Sequence, residues 1–250
     1  MNKVKLIIIV ILSLSLNGCK DDDDSINNNN LTINFTHFWE DEEITTSDFN
    51  VLKYFTENDD LMSITKLRYL ISNIILENEE EENIELEGYF LVDLNNNNTT
   101  YSIPNVPVGN YTRITFTFGF TEEDNIDGEY LDLNSAVWNW PEMLGGGYHF
   151  MQFEGRYDDN GTESPFAYHM GTARISEGEF EQNFFNNSSG ELVFNKNSTL
   201  EVKMDVSEWF KNPNTWDLST YNIDLMPNYD AQKMMNQNGQ TVFSVTVITE

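Results

Sequence analysis

Apolar and polar residues alternate in short runs along most of this chain. In one such run Ile33, Phe35 and His37 fall on one side, while Asn34 and Thr36 fall on the other. Alternation with a period of two is typical of a half-buried β-strand, and clusters of Asn, Asp and Gly bound the runs. The pattern predicts strands at residues 31–38, 63–75, 89–93, 111–119, 148–154, 166–175, 198–204 and 241–248.

Helical patterns are scarce. Two short helices are predicted, residues 206–211 with Asp205 as the N-cap and residues 229–236. The segments 95–98 and 106–110 carry the Asn, Pro and Gly residues of turns. Together these elements predict an all-β fold, a two-sheet antiparallel β-sandwich with long loops and one or two short helices.

The N-terminus has the features of a secretion signal. Lys3 and Lys5 precede an apolar run at residues 6–16, which is too short for a stable transmembrane anchor. Cys19, the single cysteine of the chain, follows Leu16-Asn17-Gly18, which resembles a bacterial lipobox. We therefore predict a lipoprotein signal peptide at residues 1–18 and lipidation of Cys19. The alternative is an ordinary signal peptide with an incidental cysteine.

An acidic and Asn-rich stretch follows the cysteine. Residues 19–30 contain four consecutive aspartates and four consecutive asparagines, as expected of a solvated tether. The order Cys-Lys-Asp-Asp also resembles a signal that exports lipoproteins to the outer face of the outer membrane. We therefore expect a surface-exposed outer-membrane lipoprotein, with the periplasmic face as the alternative. The β-sandwich domain is predicted at residues 31–250.

Charge narrows the range of partners. The chain has 42 acidic and 13 basic residues, a formal net charge of −29. Such a field repels nucleic acid, which excludes a nucleic-acid-binding function. The 17 Phe, 11 Tyr and 5 Trp residues argue against a disordered acidic chain and for a folded core.

Motifs for catalysis are missing from the sequence. There is no Gly-x-Ser-x-Gly, HExxH or CxxC motif, and Gly145-Gly146-Gly147 lacks the lysine of a P-loop. Residues 123–128 resemble the start of an EF-hand, but Asn134 at the twelfth position cannot supply the bidentate carboxylate. We therefore expect a binding protein rather than an enzyme.

Three histidines are candidate metal ligands, because imidazole is the commonest ligand of transition metals. Alternation places His37 with Ile33 and Phe35, and places His149 with Met151 and Phe153. His169 lies in the predicted strand 166–175. Each histidine is also compatible with a hydrogen-bonded core or surface residue that binds no metal.

Three neighbouring side chains complete the candidate chemistry. Met170 offers a thioether ligand for Cu(I), although methionine more often fills a core. Trp138 and Trp140 face the same way if the segment is extended, just before Pro141 and the glycines. The tryptophans either form an aromatic plug in the core or flank a site.

Several motifs, in order, resemble a known family. They extend over residues 31–248, and they are similar to the motifs of the MbnP-like copper-binding protein family. The matching stretches are residues 65–74 with 89–93, residues 106–111, Trp138-Asn139-Trp140 with residues 147–150 and 153–155, and Tyr168-His169-Met170-Gly171.

The resemblance implies a secreted or lipid-anchored β-sandwich with a mononuclear copper site. In the family, histidine binds copper, aided by a tryptophan that a partner di-haem enzyme of the MbnH type oxidises to kynurenine. His37 and His169 lie in motifs that match the family, and Trp138 or Trp140 is the candidate for oxidation. His149 departs from the pattern, because the family usually has Lys or Arg there.

The resulting hypothesis is a lipid-anchored protein that binds one copper ion, Cu(I) or Cu(II), for acquisition or buffering at the outer membrane. His37 and His169 would be the nitrogen ligands, with His149 and Met170 as further candidates. The alternative is a metal-free surface β-sandwich lipoprotein that binds a protein or a glycan.

Overall fold

Two β-sheets, of five and eight strands, face each other in this protein, with a separate two-stranded hairpin. The computed structural model describes residues 28–194 and 198–249. The predicted signal peptide and Cys19 lie outside the described residues. The strands are β1 (Asn28–Trp39), β2 (Glu42–Glu43), β3 (Tyr54–Phe55), β4 (Leu61–Asn78), β5 (Asn83–Asp93), β6 (Thr100–Pro107), β7 (Gly109–Phe118), β8 (Met151–Asp159), β9 (Thr162–Met170), β10 (Ala173–Ser176), β11 (Glu179–Glu181), β12 (Phe185–Ser189), β13 (Leu192–Phe194), β14 (Ser198–Asp205) and β15 (Phe243–Thr249).

The five-stranded sheet has the order β15-β14-β1-β2, with β6 also paired to β1. The eight-stranded sheet has the order β12-β7-β4-β8-β9, with β3 and β5 on β4 and β13 on β7. The long strand β4 pairs with β8 through residues 62–69 and with β7 through residues 71–78. The larger sheet therefore has two halves that share β4, one containing β8 and β9 and the other containing β5 and β7.

The all-β sandwich is confirmed, with one departure from an antiparallel pattern. Strands β1 and β14 run parallel, with Ile33 opposite Leu200 and His37 opposite Met204. Every other pairing between strands in the described residues is antiparallel. Alternation along one strand does not reveal the direction of its neighbour, so the sequence could not show this pair. Strand β1 also begins at Asn28, inside the predicted tether.

The segment 106–110 is not the tight turn that was predicted. Strand β6 continues to Pro107 and β7 begins at Gly109, so only Val108 separates them. Because β6 belongs to the five-stranded sheet and β7 to the eight-stranded sheet, this is where the chain crosses between layers. Pro107 and Gly109 of the predicted turn therefore lie where the chain passes from one sheet to the other.

Helices are few and short in the described residues, as predicted. The α-helices are α1 (Leu131–Ser135) and α2 (Tyr229–Gly239), and the predicted helix after Asp205 is a 3₁₀ turn, Val206–Phe210. Asp205 does cap that turn, since its Oδ1 accepts a 3.0 Å bond from the Ser207 amide. None of the helices described has the length and apolar character needed to cross a bilayer.

Aromatic rings join the two sheets. Tyr69 on β4 lies 6.2 Å from Phe35 and 5.9 Å from Phe243 between ring centroids, and Phe116 lies 5.4 Å from Phe243. The other face of β4, β8 and β9 is covered by the segment 121–147, whose Ala136 carbonyl accepts a bond from Arg68. The eight-stranded sheet is therefore covered on both faces where β4 and β8 pair at Arg68 and Gln152.

Candidate metal centre

His149 and His169 lie together on this second, outer face. Their ring centroids are 5.3 Å apart and the rings are nearly perpendicular, at 80°. His169 is near the end of β9, where it pairs with Gln152 of β8, and His149 lies two residues before β8 begins. Both imidazoles therefore belong to the open end of a single β-hairpin.

The position of His149 differs from the sequence prediction. The predicted strand 148–154 begins only at Met151, and the His149 amide donates to the Trp138 carbonyl at 2.8 Å. Its ring thus contacts His169 instead of following Met151 and Phe153 into the core. The prediction that these three residues share a strand face is wrong, because the regular ladder starts after His149.

The two predicted tryptophans enclose His149. Its ring centroid lies 5.6 Å from Trp138 and 4.9 Å from Trp140, and both indoles are fully buried. Trp140 donates from Nε1 to the Leu144 carbonyl at 3.1 Å. Gly171 permits the close packing of Trp140, because a Cβ atom there would lie 2.5 Å from its Cδ2 atom. The tryptophans therefore line the cluster.

A cation lies over one of these indoles. The guanidinium carbon of Arg68 is 4.9 Å from the ring centroid of Trp138, a cation–π geometry, and Arg68 also donates to Gln152. The Nε1 atom of Trp138 is buried without a hydrogen-bond partner. The residue before it, Val137, has φ of 57°, which is strained for a β-branched side chain. The environments of the two tryptophans thus differ.

The acidic loop with an EF-hand-like start holds the glycine segment in place. Asn125 Oδ1 accepts a 2.9 Å bond from the Tyr148 amide, and Asp127 Oδ1 accepts a 3.2 Å bond from the Gly147 amide. In the described part of the chain, no group of three or more His, Cys, Asp or Glu side chains is placed to hold a metal ion. The loop therefore fixes the position of Tyr148, the residue before His149.

Charged neighbours fix His169. Its Nε2 atom lies 2.9 Å from Glu154 Oε1, and Lys66 donates to the same oxygen at 2.7 Å. These two partners, His169 first, lower the pKa of Glu154 to about 2 against the opposing effect of burial. Because the carboxylate is ionised and only accepts, the Nε2 atom of His169 is the donor in this bond, and Nδ1 is the nitrogen that a neutral imidazole would offer to a metal.

His149 donates from the other ring nitrogen, Nδ1. Its Nδ1 atom lies 3.0 Å from the Trp138 carbonyl, which can only accept, so Nε2 carries the lone pair. Burial, and to a lesser extent His169, lowers the pKa of His149 to about 3, so the ring is neutral at neutral pH. Neutral imidazole is the form that binds metals.

The pair fits one metal ion. With metal–nitrogen bonds of about 2.0–2.1 Å, two imidazoles on one ion have ring centroids roughly 4.5–6.5 Å apart. The observed 5.3 Å falls within this range.

His37 and Met170 lie elsewhere. The His37 Nε2 atom is 3.0 Å from the Tyr69 hydroxyl in the core between the sheets, and burial lowers its pKa to about 4. Met170 is fully buried in the core cluster, and adjacent strand residues such as His169 and Met170 point to opposite faces. The structure therefore does not bring these two predicted ligands to the histidine pair.

Sequence reasoning missed three residues of the site, Lys66, Arg68 and Glu154. Their signal in the sequence is weak: each is a charged residue at an outward position of a strand whose neighbours are apolar. Such residues are normally assigned to solvent. Only the register, with Lys66 opposite Glu154 and Arg68 opposite Gln152, shows that they meet.

Fold and site together define an all-β sandwich protein with a cluster of two histidines and two tryptophans on the outer face of the larger sheet. A family model described as MbnP matches residues 28–231, and the chain belongs to the MbnP family. The solved structure of MbnP from Methylosinus trichosporium is similar, with a TM-score of 0.60 and 12% identity, covering 90% of this chain and 100% of that chain. At this identity the likeness shows the fold. No curated protein matches the chain.

Proposed function

We propose that this protein binds a single copper ion through His149 and His169, for copper acquisition or buffering. The observation that carries the proposal is the pair of imidazoles with ring centroids 5.3 Å apart, each with one ring nitrogen fixed by a hydrogen bond. Membership of the MbnP family supports copper as the metal. His149 thus takes the role that the sequence resemblance gave to His37.

Copper suits this donor set for chemical reasons. Imidazole nitrogens bind Cu(II) most strongly among the divalent first-row metals. Glu154 and Lys66 would orient His169, in the way that outer carboxylates orient metal-bound histidines elsewhere. The protein's contribution is to hold both rings in one tautomer. We propose no catalytic turnover.

Trp140 is the better candidate for oxidation to kynurenine. The Arg68 cation over Trp138 disfavours removal of an electron from that indole, whereas Trp140 donates its Nε1 proton to a carbonyl. The oxidant would be a di-haem enzyme of the MbnH type, as the family resemblance implies. Peptide mass spectrometry of protein from its native host tests this assignment. Kynurenine at position 138 instead of 140 would contradict it.

The proposed cellular location is the outer membrane. Lipidation of Cys19 after removal of residues 1–18 would tether the sandwich, and the acidic stretch that follows would direct it to the cell surface. Metabolic labelling with a fatty acid should mark the protein and not its Cys19→Ala variant. Protease treatment of intact cells should then remove the domain if it faces outward.

Copper titration of purified residues 20–250 tests the site. We expect one equivalent to bind, and we expect His149→Ala and His169→Ala each to abolish binding at that affinity. His37→Gln is the matched control, because it removes an imidazole without touching the pair. Loss of copper in the control, with retention in the other two variants, would contradict the assignment. A wild-type domain that binds no copper would favour a metal-free surface protein that recognises a protein or glycan.

A further inference from the structure

The other half of the outer face carries a groove of about 670 Å³. It runs beside β5, β4, β7 and β12, and the loop residues 121–124 form one wall. Binding clefts commonly enclose roughly 300–1,000 Å³, so the groove is large enough for several side chains. It shares no lining residue with the histidine cluster, which lies on the β8–β9 half of the sheet.

A bulge in the central strand shapes this groove. Asn73 has φ of 47° and no register partner on either β5 or β7, because both ladders shift around it. Its side chain donates to Asp124 at 3.1 Å, which ties the loop wall to the floor. Bulges bend a sheet and often occur beside functional sites. The short side chains of Thr115 and Thr117 leave the floor open.

The charges of the groove are all of one sign. Glu85, Glu87, Glu122 and Glu123 line it, and none of them makes an ion pair within the described residues. The described residues that line the groove include no Lys, Arg or His. Elsewhere in the described residues, carboxylates do form ion pairs, as Glu154 with Lys66 shows. Uncompensated carboxylates around a cleft concentrate cationic ligands there.

The floor is not purely acidic. Ile75, which pairs with Glu85, and Phe184 contribute apolar surface beside the glutamates. An occupant that matches both features alternates positive and apolar side chains, as an extended peptide does along its two faces. We propose that the groove binds an extended segment of a partner protein in which Lys or Arg alternates with apolar residues. This binding does not depend on copper.

The test uses ¹⁵N-labelled residues 20–250 and two short capped peptides, one of alternating Lys and Leu and one of alternating Glu and Leu. The Lys peptide should shift amide signals around residues 73–75, 85–88, 115–117 and 184–186, and the Glu peptide should not. No binding of the Lys peptide, or shifts that cluster outside these residues, would overturn the proposal.

Two double variants test whether the peptide binds through the glutamates of the groove or only through the overall negative charge of the protein. The double variant Glu85→Gln with Glu87→Gln should weaken binding of the Lys peptide by about five- to tenfold. The matched control, Glu177→Gln with Glu179→Gln, removes the same charge at the exposed β10–β11 turn and should change affinity less than twofold. Equal weakening by both pairs would overturn the proposal.

A third variant tests shape without charge. Thr115→Trp fills the floor and should abolish binding, and unchanged affinity would overturn the proposal. His149→Ala should leave peptide binding unchanged, so a failed copper site and a failed groove are distinguishable. Peptide binding that is lost with His149→Ala would contradict the separation of the two sites.

Discussion

Lowering the pH should destabilise the copper-free protein, and His37 should account for a defined part of the loss. Burial lowers the pKa of this imidazole from 6.5 to about 4 in the folded protein. The folded pKa is therefore below the unfolded one, and the unfolded chain takes up the proton first. The contribution of neutral His37 is complete above pH 6.5 and is lost as the pH falls toward 4.

The size of the loss follows from the shift. One pKa unit corresponds to about 1.36 kcal/mol, so the complete loss is about 3 kcal/mol below pH 4. Between pH 7 and pH 5 the share of His37 is about 2 kcal/mol, taken from the same two pKa values. His149, with its pKa lowered to about 3, should add a similar loss over this interval. Carboxylates with ordinary pKa values titrate mostly below it.

His37→Gln isolates the first of these contributions. Glutamine keeps a hydrogen-bonding partner for the Tyr69 hydroxyl and does not titrate. Urea unfolding, followed by tryptophan fluorescence at constant ionic strength, gives the free energy of unfolding at pH 7 and pH 5. We expect the decrease between the two to be about 2 kcal/mol smaller in the variant than in the wild type. Equal decreases would refute the assignment of His37 as a buried, neutral core residue.

Three further substitutions test the site and the loop around it. Glu154→Gln should weaken copper binding by about 10–100-fold at unchanged stoichiometry, because it removes the carboxylate charge that holds and orients His169; an unchanged Kd in competition titrations would contradict this role. Gly171→Ala should lower the free energy of unfolding by about 1–3 kcal/mol, since its methyl group would overlap Trp140, and a neutral effect in urea unfolding would show that the ring can move. Val137→Gly should raise that free energy by about 1 kcal/mol by relieving a positive φ at an exposed residue, whereas destabilisation would show that the side chain matters more than the strain.

Much of the fold could be predicted from alternation alone. Each of the eight predicted strands corresponds to a strand or a pair of strands, since apolar residues at every second position reflect burial against a core. Six strands were not predicted, namely β2, β3, β6, β11, β12 and β13. The Asn- and Ser-rich sequence of β12, for example, is typical of a loop, and its partner β7 is distant in sequence.

The site was harder to predict than the fold. The sequence identified the tryptophans and His169 as candidates, and the structure places them around the same residue, His149. It did not favour His149, because the family that the motifs resemble usually has Lys or Arg there, and because alternation placed His149 on the same face as Met151 and Phe153. Which histidines share a face depends on where a ladder begins, and a shift of one residue changes the face.

The histidine pair belongs to one hairpin, and its ring neighbours are Trp138 and Trp140 rather than the rings that join the two sheets. Metal chemistry and folding are therefore encoded by nearly separate sets of residues. Two substitutions, at positions 149 and 169, can remove the proposed ligands while the contacts between the sheets stay intact. A lineage could thus lose or regain the proposed copper site without rebuilding the sandwich. In relatives of this chain, the residues at these two positions are more informative about metal binding than the fold they share.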